Sequence, residues 1–385
     1  MRLSERHTGL FVALVLVSFL ILFLPSCSIT GTSTGTNKTE SRNNPIIGLS
    51  DNRKDSRPIL NIWYGCHQVF GRLGVPQRWI NILGNVSDPD GISALTFSLN
   101  GGKEYSLNMG PDHRRLIAPG DFNIEIEKGV LNIGLNQVAV RATDMFNNQT
   151  VRKVTVEYKG IFCPLPYSID WSCVTKVQDV VQIVDGLWVL DGIGIRTHPL
   201  HVGYDRVIAI GDMAWRDYEV TVPFVIHTID ATAYESPISI GPSFGINMHW
   251  LGHTDSPVTC SQPHCGWEPT GGSNWYKFRK NRDNGLRIIA GPPHNPTHII
   301  DLPLEIGKTY WLKARVQTTP EGNLYTLKAW EDGPKPEPRD WTLRKLAKRP
   351  NLDQGSFLLV AHHVDMTFGN ITVVPLEGIS PSRTK

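Results

Sequence analysis

The chain has 385 residues, 40% of them aliphatic or aromatic, which is ample for sizeable cores and longer than one typical domain. A formal net charge of +2, with no basic block interleaved with aromatics, argues against a nucleic-acid groove. Frequent Gly (35) and Pro (27), and few stretches with apolar residues at i, i+3, i+4 and i+7, predict an all-β protein of many short strands joined by turns.

Arg2, Arg6 and His7 precede an almost uninterrupted apolar run from Leu10 to Leu24, and Pro25-Ser26-Cys27 follow. A charged start before an apolar core is an export signal. Leu24-Pro25-Ser26-Cys27 resembles a bacterial lipobox, with an unusual Pro at its second position. The resemblance makes residues 1–27 a lipoprotein signal and Cys27 the lipidated residue. The run also nearly reaches the about 17 residues that can cross a bilayer, so an uncleaved anchor and ordinary secretion stay open beside it. Every one of these readings puts the rest of the chain in the cell envelope or beyond, outside the cytoplasm. Residues 28–57 are Gly, Ser, Thr, Asn, Lys and Asp with almost nothing to bury, which predicts a flexible tether.

Residues 58–159 show short alternating runs: Trp79 to Val86, Leu95 to Leu99, Phe122 to Ile126, Gln137 to Ala142 and Val151 to Val156. Period two predicts antiparallel strands with one buried face. Asp88-Pro89-Asp90-Gly91 and Asn100-Gly101-Gly102 supply hairpin turns. About a hundred residues with this rhythm predict an immunoglobulin-like sandwich. Asn81 to Asp88 and Asn136 to Asp144 resemble bacterial immunoglobulin-like and cadherin-like modules, which implies a spacer or adhesive unit. Asp88, Asp90 and Asp144 read either as turn formers or as calcium ligands.

Residues 160–167 read as a linker. From 168 to 376 the pattern is again of strands: Leu187 to Ile195, Val207 to Ile210, Tyr218 to Ile229, Ser243 to Trp250, Leu286 to Ala290, Thr309 to Gln317, Leu324 to Trp330, and Phe357 to Val374 as one long strand turning at Phe368-Gly369-Asn370. One β region of this length fits a two-sheet jelly roll. Gly211 to Val220, with its G-x-x-x-W-x-D-Y-x-V pattern, Lys308 to Val316, and the closing Gly355 to Leu376 resemble, in the expected order, three strands of the concanavalin A-like lectin and glucanase superfamily. The fold class implied is an immunoglobulin-like sandwich followed by a larger concanavalin A-like jelly-roll sandwich, with residues 377–385 a disordered tail.

That resemblance places ligands on the concave sheet or its bordering loops. Phe244 to Arg282 is the richest segment, with Asn247, His249, Trp250, His253, Trp267, Glu268, Trp275, Tyr276, Lys277 and Arg279. Aromatic faces stack on sugar rings, and amides and charged groups fix hydroxyls, so these residues form a candidate ligand site. Trp250 and Trp275 read equally well as core, and Trp267, in a Gly/Pro-rich loop, as the exposed platform. His249 and His253 share a face only on a helix, which disfavours zinc. In His362-His363 with Asp365, the two His alternate across a strand. No cofactor is expected beyond a structural calcium, for which the resemblance makes Asp365 the candidate ligand.

Retaining glucanases of this fold carry E-x-D-x-E or E-x-D-x-x-E on one strand, and the chain has no such pattern. Asp230 and Glu235 are the nearest acidic pair, and read better as a solvated hairpin. His249 with Tyr276 is a conceivable lyase base and acid. Outside the cytoplasm, Cys163–Cys173 and Cys260–Cys265 would close short loops, with Cys66 left free or paired to Cys163. The reading that follows is an exported, membrane-tethered, carbohydrate-binding surface protein whose partner is a polysaccharide or other glycan. A glycoside hydrolase or polysaccharide lyase is the first alternative, and a purely structural or adhesive protein the second.

Overall fold

The computed structural model describes residues 56–236, 241–256, 258, 263–281, 284–291 and 295–376. The signal or anchor at 1–27, the lipidation residue Cys27, the tether up to residue 55 and the tail from 377 lie outside the described residues. Within them the chain is all-β, its helical pieces being single 3-10 turns.

A three-stranded sheet (Ile59–Ile62, Trp79–Ser87, Asp121–Glu127) faces a five-stranded one in the order His67–Phe70, Gln149–Tyr158, Gly134–Asp144, Ile92–Leu99, Glu104–Ser106. Pairing is antiparallel except between His67–Phe70 and Gln149–Tyr158. Ile82, Ile124, Val138, Val140, Val154 and Val156, all fully buried, fill the space between the sheets. The turn-forming role of the Asp residues is visible: Asp88 accepts the Asp90 N–H at 2.8 Å, and Asp144 accepts those of Phe146 and Asn148, each at 2.8 Å.

The second sandwich stacks an eight-stranded sheet on a nine-stranded one. The first runs Gln182–Asp185, Arg206–Ile210, Ser356–His362, Ser243–Trp250, Gly272–Lys277, Gly285–Ala290, with short Asn295–Pro296 and Ile300–Asp301 at its edge. The second runs Trp188–Leu190, Ile195–Thr197, Val364–Phe368, Tyr218–Ile229, Thr309–Thr319, Gly322–Glu331, Leu343–Lys348, with Ile371–Pro375 and Tyr167–Ile169 completing it. Phe244, Ile246, Met248, Phe357 and Leu359 from one sheet meet Val220, Val222, Phe224, Leu312 and Leu327 from the other.

Two expected strands are broken, each for a physical reason. Leu187 to Ile195 is a hairpin, because Asp191 accepts the N–H groups of Ile193 and Gly194 and turns the chain. The closing strand is three strands: His363, at φ +56°, carries the chain from the eight-stranded sheet across to the nine-stranded one. The Gly211 to Val220 motif is also explained. Gly211 has φ +94°, and the Trp215 ring lies where a Cβ would be, so both Gly and Trp are required to seat the strand that follows.

The Asp121–Glu127 strand departs from the sequence expectation of one buried face. Phe122, Ile124 and Ile126 enter their own core, but Asp121, Asn123 and Glu125 are buried as well. Their face docks on the second sandwich. Arg115, 4% exposed, sits between Glu125 (2.5 Å) of the first and Asp185 (2.6 Å) of the second, and donates also to the carbonyls of Val184 and His264. Asn123 bridges the same way, to Val184 O at 2.8 Å and Asp185 at 3.1 Å. His264 Nδ1 lies 2.6 Å from Glu125, and its ring stacks on Trp79 at 4.6 Å. Burial would raise the Glu125 pKa, but Arg115 and His264 hold it down to about 2.

The expected Cys163–Cys173 bridge does not form, nor does a Cys66–Cys163 one: Cys163 and Cys173 are free thiols. Cys163 is buried, its thiol pushed up to about 11 by that burial, while Cys173 lies exposed in a 3-10 turn beside Asp170. The Cys260–Cys265 pairing involves Cys260, outside the described residues.

Removing one member of a buried ion pair strands the others, at a cost of about 3–5 kcal/mol. Arg115→Met is therefore expected to lower unfolding free energy by about that amount in urea titrations. A loss below about 1 kcal/mol would contradict the coupling of the two sandwiches through Arg115.

Candidate functional site

The outer face of the eight-stranded sheet, turned away from the core, carries three transverse rows fixed by strand register. The first is Asp205, His362, Ser243, Lys277 and Gly285; the second Val207, Val360, Gly245, Trp275 and Arg287; the third Ala209, Leu358, Asn247, Ser273 and Ile289. Small residues, Ser243, Gly245 and Ser273, lie on the strands Ser243–Trp250 and Gly272–Lys277 inside these rows, so the face dips there as a trough between larger side chains, its floor of Ser243, Asn247, Leu358 and Val360 buried. Five strands at about 4.8 Å spacing make it roughly 19 Å across. At one end, the apolar floor of Val184, Val207, Ala209, Leu358 and Val360 is closed by Trp250, with Trp267 and Trp275 packed against it.

At the other end the floor is polar. Lys277 is 5% exposed, its amine 3.2 Å from Ser243 Oγ and 4.3 Å from the centre of the Trp275 ring. Burial lowers its pKa to about 7; Asp205 opposes the shift and Arg287 reinforces it. Asp205 Oδ1 lies 2.7 Å from His362 Nδ1. Burial works against the Asp205 charge, but His362 keeps the carboxyl below its usual range. Tyr204 lies edge-on to His362 at 4.9 Å. Asn247 is 1% exposed with neither amide atom hydrogen-bonded, and Trp250 Nε1 and Arg287 Nε are likewise buried without partners.

Of the residues expected from sequence, Asn247, Trp250, Trp267, Trp275 and Lys277 come together on this face. Two do not. Tyr276 is a core residue, stacked on Phe244 at 5.2 Å with its hydroxyl on Leu302 O. His249 is fully buried, both ring nitrogens 2.9 Å from carbonyls, of Leu352 and Arg216. Its φ of +57° marks it as the extra residue of a bulge, which turns Trp250 onto the outer face. Trp267 is half-buried rather than an open platform, its ring edge-on to His253. Glu268 is half-exposed in the same loop, and Arg279 is half-exposed beside Arg287. His253 pairs with Asp185.

Asp365 is an ion-pair partner: both its oxygens are taken by Arg196, at 2.8 and 2.7 Å, so the carboxylate expected to hold calcium is engaged. Among the described residues no group of three His, Cys, Asp or Glu is arranged to hold a metal ion. Asp230 caps the Ala231–Tyr234 turn and pairs with His363, while Glu235 pairs with Lys280. Asp205, Ser243, His362 and Arg287 were not singled out in the sequence for this face. Ser243, Arg287 and His362 lie on three strands and Asp205 just before a fourth, and only a Lys at alternate spacing from Trp275 on one strand hints at them.

A second aromatic surface lies on the outer face of the nine-stranded sheet, where Trp311 and Trp330 stack at 6.1 Å. Beside them, Glu337 and Trp341 cover Lys313, Lys328 and Arg315. At the junction of the sandwiches, a pocket of about 30 Å³ is lined by Gly74, Gln178 and Ala209.

No family model matches the chain, and no curated protein sequence matches it. Three solved structures are similar over most of its length. A carbohydrate-binding module of the β-sandwich superfamily is 10% identical, with TM-score 0.19, over 84% of this chain and 100% of its own. A bacterial ice-binding adhesin is 11% identical, with TM-score 0.19, over 84% and 99%. A Bacteroides ovatus protein of a mixed-linkage glucan utilization locus, solved with a mixed-linkage heptasaccharide, is 12% identical, with TM-score 0.18, over 83% and 100%. The functional reading rests on the geometry of the trough.

Lys277 also makes a stability prediction. Its folded pKa of about 7 lies below the ordinary 10.5, so between these values the unfolded chain holds more protons and stability rises with pH. Asp205, His362 and Arg287, which face the amine, are common to wild type and Lys277→Met. From pH 6.5 to 9.5 the wild type is expected to gain on the variant by more than about 1 kcal/mol in urea unfolding. Parallel pH profiles would contradict a buried, destabilised ammonium.

Proposed function

We propose that the larger sandwich binds carbohydrate in this trough. The observation that carries the reading is Asn247: an amide in the floor beside Trp275 and Trp250, with neither its donors nor its acceptor engaged. Each such group left dry costs about 1–3 kcal/mol, and a ligand that both donates and accepts offsets it. Sugar hydroxyls do both, and the faces of their rings pack on indole. The two-sheet architecture supports the concanavalin A-like assignment, and the smaller sandwich, locked through Arg115, acts as an immunoglobulin-like spacer. The apolar run before Cys27 supports export and attachment to the cell envelope through lipid or an anchor. Hydrolysis is the weaker reading, because a carboxylate pair is needed and Asp205 is the one carboxylate of the three rows.

The test is a glycan array with the fragment from Arg57 onward, with reducing-sugar release measured on every glycan bound. Trp275→Ala and Asn247→Leu are each expected to weaken binding at least 10-fold, equivalent to about 1.4 kcal/mol, with unchanged circular dichroism. No glycan bound, or both variants binding as wild type, would refute the site. Sugar release would make the protein an enzyme.

A further inference from the structure

We infer that the ligand is anionic: Lys277, with Arg287 and Arg279 beside it, forms a subsite for the carboxylate or sulfate group of an acidic sugar. The inference rests on the carbohydrate reading of the trough and names the class of sugar. A buried ammonium is costly unless paired. The Lys277 amine has instead a neutral hydroxyl, Ser243, and the face of Trp275, which attracts a cation but does not neutralise it. Arg287 lies directly across the strand pair from Trp275, its Nε buried and unpartnered, and burial, then the charge of Arg279, lowers its pKa.

Lys277 and Arg287 are the two cations of these rows. Asp205, the carboxylate nearest to Lys277 in these rows, is already engaged by His362. An incoming carboxylate or sulfate would supply the missing counter-charge at Lys277 and use the fork geometry of a guanidinium. It would also return the proton that burial makes Lys277 give up near neutrality. The free protein carries a desolvation cost that a neutral sugar would not relieve. Selectivity for acidic sugars follows from that difference rather than from extra contact area.

The experiment is calorimetric titration of the Arg57-onward fragment with three sets of oligosaccharides of equal length: neutral glucose oligomers, uronic-acid oligomers and sulfated oligomers. At least one acidic set is expected to bind 10-fold or more tightly than the neutral set, and the stronger acidic arm identifies carboxylate or sulfate. Lys277→Met and Arg287→Gln are each expected to bring the acidic-to-neutral affinity ratio down toward one, and 0.5 M salt to do the same in the wild type. Two variants guard against a folding defect in either. Neutral oligomers bound as tightly as acidic ones, or a ratio unchanged in both variants, would overturn the anionic subsite while leaving the carbohydrate reading standing. Failure of all three sets to bind would overturn both.

Discussion

Arg115 is the constraint on which the arrangement depends. Its guanidinium is held by one carboxylate from each sandwich, Glu125 and Asp185, in a junction from which water is almost excluded. Three buried charges so placed are stable only as a set, and the set exists only when the two sandwiches are together. Asn123, His264 and Trp79 extend it with further hydrogen bonds and a stacked ring. The result is one body rather than two beads on a linker, with Ser356 of the eight-stranded sheet bonded to Pro76 O and Arg78 N to Leu251 O of the loop below it.

The docking also shapes the candidate site. The smaller sandwich and the loop bearing His253 and Trp267 close one end of the outer face, over Val184, Val207 and Leu358. The polar end, with His362, Ser243 and Lys277 on three strands and Asp205 just before a fourth, comes together only in the finished sheet. A face sealed at one end and polar at the other would fix the direction of the proposed ligand as well as its position. The bulge at His249 contributes by bringing Trp250 onto this face, where plain alternation would have sent it elsewhere.

Much of this architecture was legible in the sequence, for reasons that also explain what was not. Alternation and turn residues marked the strands of both sandwiches, and the Gly211/Trp215 pair announced its strand because ring and glycine need each other. Alternation was misleading at Asp121–Glu127, where polar residues read as a wet face and instead form the junction. The two reversals of hand, at His249 and His363, leave no composition signal, since a non-glycine residue with positive φ is chosen by tertiary packing. Cys163 and Cys173 sit at a spacing that suits a loop closure, yet one thiol is buried and the other exposed. Tyr276 looked like its neighbour Trp275, but one residue along a strand exchanges the ligand face for the core. Lys277 was visible as one residue in a rich segment. Its partner Ser243 and row neighbour His362 were not, because 34 and 85 residues of chain separate them from it.

The most direct measurement follows the indole N–H resonances of ¹⁵N-tryptophan-labelled protein, assigned by single substitutions, during titration with a bound acidic oligosaccharide. The account predicts that Trp275 and Trp250 shift saturably while Trp311 and Trp330, on the opposite sheet, stay still. Saturable shifts at Trp311 and Trp330 with Trp275 unmoved would contradict it and transfer the site to the other face of the sandwich.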